Sequence, residues 1–157
     1  MFNGELIGIC LAHEAAGAVR SVAEVRVVPG KGLEGDRYFD GKGTWTDHPG
    51  DGREVTLIEM EAIAAIGRES GIALEPGDAR RNLITRGVPL DHLIGKEFRI
   101  GDVVLRGVRL CEPCSYMESK TRAGVKAALK HRAGLRAEVV TGGVIRVGDV
   151  IREAAGG

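Results

Sequence analysis

Two cysteines separated by two residues are the feature of this sequence with the widest chemical scope. Cys111 and Cys114 enclose Glu112 and Pro113, and this spacing fits four kinds of site. Two thiols can be half of a zinc site, or they can form a redox-active dithiol. One thiol can instead work alone, as a ligand of a soft metal or as a carrier of persulfide sulfur. Both can also be buried structural cysteines, so the spacing alone leaves four interpretations open.

The other side chains that could complete a zinc site are scattered along the chain: Cys10, His13, His48, His92 and His131. None of them forms the second close pair that a structural zinc site normally needs, so this interpretation is disfavoured. Dithiol motifs usually open a helix in a βαβ unit, whereas the segments around the cysteines are typical of antiparallel strands. Three cysteines without a recognisable leader sequence predict a cytoplasmic setting rather than a disulfide framework.

A second candidate segment consists of Arg80, Arg81 and Asn82, which follow Pro76-Gly77-Asp78. Two guanidinium groups at the start of a strand can present a fork of hydrogen-bond donors to a phosphate. The same arginines can equally be exposed and solvated, and the segment alone does not decide between the two.

A third candidate segment, residues 32–37 (GLEGDR), has two glycines three residues apart, which let a backbone bend tightly or approach a ligand. No helix is predicted after it, so it is not a dinucleotide-binding motif. The alternative is a glycine-shaped loop with a local contact between Asp36 and Arg37.

A group of basic residues after the cysteines either favours an anionic ligand near Cys114 or forms the solvated face of a helix. Its members are Lys120, Arg122, Lys126, Lys130, His131 and Arg132.

Composition excludes several classes of protein. The 157 residues are 43% hydrophobic and carry 22 basic and 22 acidic side chains, so no net charge draws the chain to nucleic acid or to an anionic membrane. No apolar run reaches the roughly 18 residues of a membrane span. A chain of this length can bury a sufficient core, which predicts a single domain over residues 1–157 with neither nucleic acid nor membrane as a partner.

Apolar periodicity predicts many short strands and few helices. The predicted strands are residues 6–11, 22–28, 54–58, 82–85, 97–100, 103–110, 135–141, 144–147 and 150–152. Helices are predicted at 59–69, ending at Gly71, and at 123–132, ending at Gly134, with a helical turn at 89–94. Gly101-Asp102 and Gly142-Gly143 are predicted to be hairpin turns. Because helices do not alternate regularly with the strands, these elements predict a mostly β fold, an antiparallel β-barrel with peripheral helices.

In their order along the chain, these segments resemble the MOSC family, named for the C-terminal domain of molybdenum-cofactor sulfurases. The motifs are GLEGDR at 32–37, REVTLI at 53–58, PGDARRNL at 76–83, LIGKEFRIG at 93–101, PC at 113–114, GLRA at 134–137 and GD at 148–149. Each motif is short, but the ordered set, within a MOSC-like region of about residues 17–152, is specific. The resemblance implies a free-standing single-domain member with that family's pyruvate-kinase-like β-barrel.

The resemblance implies that Cys114 is the functional thiol, because it occupies the family's Pro-Cys position. Cys114 would then be a catalytic residue, either as a ligand of molybdenum or as a persulfide site. Arg80 and Asn82 match positions that hold the pterin or its phosphate in cofactor-binding relatives, and Asp36 and Arg37 are further candidates for the same pocket. The implied cofactor is the molybdenum cofactor (molybdopterin), and one implied activity is the reduction of N-hydroxylated substrates.

Two departures from the family pattern bear on these implications. Ser115-Tyr116 follows the cysteine where relatives often have an aromatic or basic residue, and Cys111 adds a thiol that would resolve a persulfide or simply pack.

The implied partner is a cysteine desulfurase for a carrier or a redox partner for an enzyme. No lysine lies in a recognisable Schiff-base setting, so no pyridoxal phosphate is expected in this chain. The alternatives are a thiol–disulfide redox protein using Cys111 and Cys114, and a binding scaffold without catalysis.

Overall fold

The computed structural model describes residues 2–13, 18–39, 54–113, 118–119, 121 and 123–154. Its strands in these ranges are β1 (Asn3–Ala12), β2 (Val19–Val22), β3 (Glu24–Val28), β4 (Gly32–Leu33), β5 (Val55–Glu59), β6 (Leu83–Arg86), β7 (Glu97–Ile100), β8 (Val103–Leu110), β9 (Leu135–Thr141), β10 (Gly143–Arg146) and β11 (Val150–Glu153). The helices are α1 (Met60–Ser70) and α2 (Val125–Ala128), with 3₁₀ turns at Pro76–Ala79 and Leu90–Leu93. Cys114, His48, Lys120 and Arg122 lie outside the described residues.

Seven of these strands close into a barrel, in the order β1-β11-β7-β8-β9-β5-β6 and back to β1. Strand β2 extends this sheet beside β1, and a separate small sheet has the order β10-β3-β4. The prediction of a mostly β barrel with peripheral helices is confirmed. The pairs in the barrel are antiparallel except β5–β6, which is parallel. The chain between these two strands, which includes α1, forms the crossover connection that a parallel pair needs.

Aliphatic side chains fill the barrel, in agreement with a sequence that has few aromatic residues. The fully buried members that pack together include Leu6, Ile9, Leu57, Leu83, Phe98, Ile100, Leu105 and Leu135. They come from six of the seven barrel strands, and burying such side chains is the main contribution to stability. The ends of these strands therefore form a rigid frame for the loops that follow them.

Helix α1 covers part of the outside of the barrel. Its Ile63 packs with Ile58 and Ile84, while Ile66 packs against Val125 at the start of α2. The helix ends at Gly71, as predicted, because this glycine adopts a left-handed conformation with φ 68° that favours glycine. No helix in the described ranges is long and apolar enough to span a membrane.

Three local predictions were wrong. The strand at 22–28 is divided at Ala23, because residues before it pair with β1 and residues after it pair with β10 and β4. The second hairpin does not form: β10 pairs with β3 rather than with β9. The helix at 123–132 is limited to α2, since Gly124 and His131 have left-handed φ angles of 93° and 68°.

Glu59, at the junction of β5 and α1, gives a prediction about pH. Partial burial, with the nearby carboxylates of Glu61 and Asp91, raises the pKa of Glu59 to about 6 from 4.5. The folded state therefore binds this proton more tightly than the unfolded state, and stability is lost as the pH rises from about 4.5 through 6. We expect Glu59→Gln to stabilise the protein at pH 7.5 by up to about 1 kcal/mol, a modest value because the side chain is only half-buried.

The measurement is urea unfolding of the wild type and Glu59→Gln at pH 7.5 and pH 4.5. The difference between them should shrink at the lower pH, where the wild-type carboxyl is largely protonated in the folded state and about half protonated in the unfolded state. Glu153→Gln is the control, since Glu153 is exposed near the end of the last strand. A Glu59→Gln gain that is equal at both pH values would contradict this account.

Candidate functional site

The Cys-Glu-Pro-Cys segment begins where β8 leaves the barrel. Cys111 is buried, and its backbone N–H donates a hydrogen bond to the carbonyl oxygen of Gly134 at 2.8 Å. The guanidinium of Arg81 donates from Nε to the carbonyl oxygen of Ala133 at 2.8 Å and from Nη2 to that of Cys111 at 3.3 Å. We call these four residues the brace. It fixes the backbone three residues before Cys114.

Glu112 adds a second attachment on the same side. Its carboxylate accepts a hydrogen bond from the backbone N–H of His131 at 2.7 Å and contacts His131 Nδ1 at 2.7 Å. Both side chains are exposed, so the electrostatic part of this contact contributes little to stability. The contact to the backbone nevertheless ties Glu112 to the turn after α2, so successive residues before Cys114 are held by different parts of the chain.

A cleft of about 430 Å³ lies beside Pro113, the last described residue before Cys114. Its lining residues are Glu112, Pro113, Glu118, Lys126, Ala127 and Lys130. The Glu118 carboxylate accepts hydrogen bonds from the backbone N–H groups of Gly124 and Lys126 at 3.0 and 3.1 Å. Part of the basic segment predicted to lie near the cysteines is therefore beside Pro113.

Asn82 is buried and joins three barrel strands. Its Oδ1 accepts hydrogen bonds from the backbone N–H and the hydroxyl of Thr56, both at 3.1 Å, and its Nδ2 donates to the carbonyl oxygen of Cys10 at 3.2 Å. Removing the amide would leave buried backbone groups unpaired. Asn82 therefore fixes β5 and β6 relative to β1, and its predicted contact with a cofactor stays a prediction.

Arg80 and Arg81 point to different surroundings although they are adjacent. Arg80 has a left-handed backbone, with φ 58°, at the end of the 3₁₀ turn. It lines a cleft of about 410 Å³ with Val19, Ser21 and Gly77, whereas Arg81 reaches Cys111. The structure therefore brings Arg81, considered from the sequence only as half of a phosphate-binding pair, to the cysteine segment. The only sequence signal for it was its place between Arg80 and Asn82.

Asp36 and Arg37 shape their own loop. Asp36 is fully buried and accepts hydrogen bonds from the backbone N–H of Ala12 at 3.1 Å and from Arg37 Nη1 at 3.3 Å. The Arg37 guanidinium also stacks on the Tyr38 ring, 4.9 Å from its centre. The local Asp36–Arg37 contact considered from the sequence is present, and a role of these residues in a cofactor pocket stays a prediction.

Cys10 is a third thiol, considered from the sequence only as a candidate zinc ligand. Burial raises its pKa, so at neutral pH it is protonated and poorly nucleophilic. Its backbone is hydrogen-bonded to Asn82 on both sides, which places it with the structural residues. Among the described residues, no three His, Cys, Asp or Glu side chains are grouped as ligands for a metal ion.

Comparisons with known proteins agree with this architecture. The crystal structure of the YuaD protein from Bacillus subtilis superposes with a TM-score of 0.78 at 17% identity, over 96% of this chain and 97% of that one. YiiM from Geobacillus stearothermophilus gives a TM-score of 0.71 at 15% identity, over 96% of this chain and 75% of that one. YiiM from Escherichia coli gives 0.68 at 16% identity, over 99% and 70% of the two chains. These likenesses establish the fold alone.

Sequence comparison establishes the family. No curated protein sequence matches the chain significantly. The family model described as the MOSC domain matches residues 46–152, which is more than half of the chain and includes Arg81, Asn82 and the two cysteines of the Cys-Glu-Pro-Cys segment. The chain therefore belongs to the MOSC domain family.

Proposed function

We propose that this chain binds the molybdenum cofactor and that Cys114 supplies a thiolate ligand to the metal. The observation that supports this most directly is the brace, which holds the backbone immediately before the cysteine. A metal ligand gains from a fixed backbone, because positioning groups around a ligand set its orientation and the affinity for metal. A persulfide carrier must instead move its sulfur between a donor and an acceptor. The brace therefore favours a ligand over a carrier.

The residues present fit such a cofactor. A single thiolate suits a soft metal whose remaining ligands arrive with an organic molecule, and a site of this kind needs no cluster of protein ligands. Arg80, half-buried beside a cleft, would offer a guanidinium to the pterin or its phosphate. Asn82, with its amide bonded to β1 and β5, would hold the start of β6, directly after the two arginines. Asp36 and Arg37 would shape a neighbouring loop.

When bound, the cofactor would supply two-electron redox chemistry for the reduction of an N-hydroxylated compound. In that reaction the N–O bond breaks, two electrons and two protons are consumed, and water leaves. A redox partner in the cytoplasm would supply the electrons. The protein would contribute the Cys114 sulfur and would fix its position through Arg81. It would also contribute the cleft beside Pro113, where the aliphatic stems of Lys126 and Lys130 form part of the wall.

The test is metal and pterin analysis of the full chain purified from a molybdenum-replete host. We expect molybdenum and pterin in a one-to-one ratio with each other and close to one per chain. Protein without molybdenum but with cyanolysable sulfur on Cys114 would overturn this proposal and would identify a sulfur carrier supplied by a cysteine desulfurase. Protein with neither would overturn both functions.

The role of Arg81 gives a prediction that can be tested with the same analysis. Arg81→Gln removes the donors to Cys111 and Ala133, and we expect the affinity for the metal cofactor to fall by about 10- to 100-fold, as for other residues that orient a ligand. Arg81→Lys keeps the charge but replaces the two separated guanidinium nitrogens with a single nitrogen, so it should restore the affinity only partly.

Arg86→Gln is the matched control, because Arg86 is an exposed arginine at the far end of β6, the strand that begins two residues after Arg81. It should leave the molybdenum content unchanged. Equal molybdenum contents in Arg81→Gln and Arg86→Gln, with both proteins folded, would show that the brace does not position the ligand.

A further inference from the structure

A row of polar side chains crosses the outside of the barrel near the end of β8. Arg109 on β8 lies directly opposite Arg136 on β9, and Arg136 in turn lies opposite Thr56 on β5. Thr56 is hydrogen-bonded to Asn82. Residues that are directly opposite in antiparallel strands share a face, so the two guanidinium groups lie next to each other on this surface.

Arg136 has an unusual environment within this row. The residue is half-buried, and its Nη1 atom is fully buried and makes no hydrogen bond within the described part of the chain. A buried donor without an acceptor is costly, and a second guanidinium directly opposite adds repulsion. Another pair of opposed arginines, Arg99 on β7 and Arg152 on β11, shows no such buried donor. The orphaned donor at Arg136, rather than the pairing alone, therefore points to a missing acceptor.

The carboxylates that flank Arg136 on these strands are committed elsewhere. Glu138, two residues along β9, accepts a hydrogen bond from Arg106 at 2.9 Å. Glu54, just before β5, accepts hydrogen bonds from the backbone N–H groups of Gly30 and Val139 at 3.0 and 3.1 Å. Both carboxylates therefore have partners other than Arg136, and an external anion would supply the acceptor that Arg136 Nη1 lacks.

We propose that Arg136 and Arg109 form a binding site for an oxyanion of the phosphate class. Guanidinium groups match the geometry of phosphate oxygens, and two of them with a buried donor provide charge-assisted hydrogen bonds. Thr56, which lies opposite Arg136, is itself held by its hydrogen bonds with Asn82. The next pair along these two strands is Leu110 with Leu135, and Cys111 of the brace directly follows Leu110. The site therefore lies next to the cysteine segment. This inference rests on the proposed function only in one respect, namely that the phosphate would belong to the pterin cofactor.

The first experiment is a calorimetric titration of the full chain with inorganic phosphate at constant ionic strength, using protein from a host that cannot make the cofactor. We expect one phosphate to bind per chain, and we expect Arg136→Gln to weaken binding by at least about tenfold. Arg99→Gln is the matched control, from the other arginine pair, and should bind as the wild type does. Arg136→Lys, which keeps the charge but loses the planar guanidinium, should bind phosphate with an affinity between those of the wild type and Arg136→Gln. It replaces Arg136→Gln as the test variant if that protein does not fold.

The second experiment identifies the source of the phosphate. Pterin is measured in the same variants from a cofactor-replete host. Loss of pterin from Arg136→Gln but not from Arg99→Gln assigns the site to the cofactor, whereas unchanged pterin with impaired phosphate binding assigns it to free phosphate. If the wild type does not bind phosphate, or if Arg136→Gln and Arg99→Gln bind it equally, the inference is overturned. The phosphate titration can be interpreted even if the protein carries no molybdenum. Failure of the phosphate site can therefore be distinguished from failure of the proposed binding of the molybdenum cofactor.

Discussion

Replacing Gly134 by alanine should lower the free energy of unfolding by about 3 kcal/mol or more, the largest stability effect that we expect from a single methyl group. Gly134 adopts φ 120°, which strains an L-amino acid, and an added Cβ would collide with the carbonyl oxygen of Leu57 in the barrel wall. The clash is with backbone, so no side chain can move aside. Because the carbonyl oxygen of Gly134 accepts the hydrogen bond from Cys111, the substitution should also displace the brace.

The measurement is urea unfolding at pH 7.5, with Gly148→Ala as the control. Gly148 also has a positive φ, 101°, but nothing lies within 4 Å of its added Cβ. Gly148→Ala should therefore show the cost of backbone strain alone, about 1 kcal/mol. If Gly134→Ala lowered the free energy of unfolding no more than Gly148→Ala does, the prediction that residue 134 lies too close to β5 for a side chain would be contradicted.

The second large effect concerns the two cysteines and separates stability from function. Cys114→Ser should reduce the molybdenum content by at least about tenfold, because a serine hydroxyl is a poor replacement for a soft thiolate ligand. Cys111→Ser should retain molybdenum but lose about 1–2 kcal/mol of stability, since it places a hydroxyl at a position that is only 3% exposed.

Molybdenum analysis and thermal unfolding of both variants check this pair of predictions. A thiol–disulfide enzyme would instead lose activity equally in the two variants, because each thiol is half of its redox couple. Unchanged properties in Cys114→Ser would support a scaffold without catalysis.

Local signals in the sequence were sufficient to predict much of the fold. Gly71 ends α1 as expected, and Gly101-Asp102 joins β7 to β8, whose residues Ile100 and Val103 pair across the turn. Both features depend on backbone conformations that only a few residue types favour, so they can be read from neighbouring residues. The order of the predicted elements indicated an antiparallel barrel, and the family motifs implied the same fold.

Features that depend on distant pairing were not predictable. The division of the strand at Ala23 arises because the two halves find different partners, β1 and β10. The pairing of β10 with β3 instead of β9 has the same origin. In each case the local sequence is compatible with a continuous strand or a hairpin, and tertiary contacts decide between them.

The candidate site shows the same limit. Cys114 and its neighbours could be found from a motif, but the direction of each side chain in Arg80-Arg81-Asn82 could not. Only the folded barrel turns Arg81 toward the carbonyl oxygen of Cys111 and Asn82 toward Thr56. The apposition of Arg109 and Arg136 likewise requires the register of β8 and β9, which includes an irregularity between Gly107 and Arg109.

The most direct test of the central claim is to place selenocysteine at position 114 and to record selenium-edge X-ray absorption from the full chain purified with its cofactor. If Cys114 is the metal ligand, selenium will have molybdenum as a neighbour at bonding distance. A selenium–sulfur neighbour without molybdenum would contradict the account in favour of a sulfur carrier, and a selenium atom bonded to carbon alone would show that this residue binds neither.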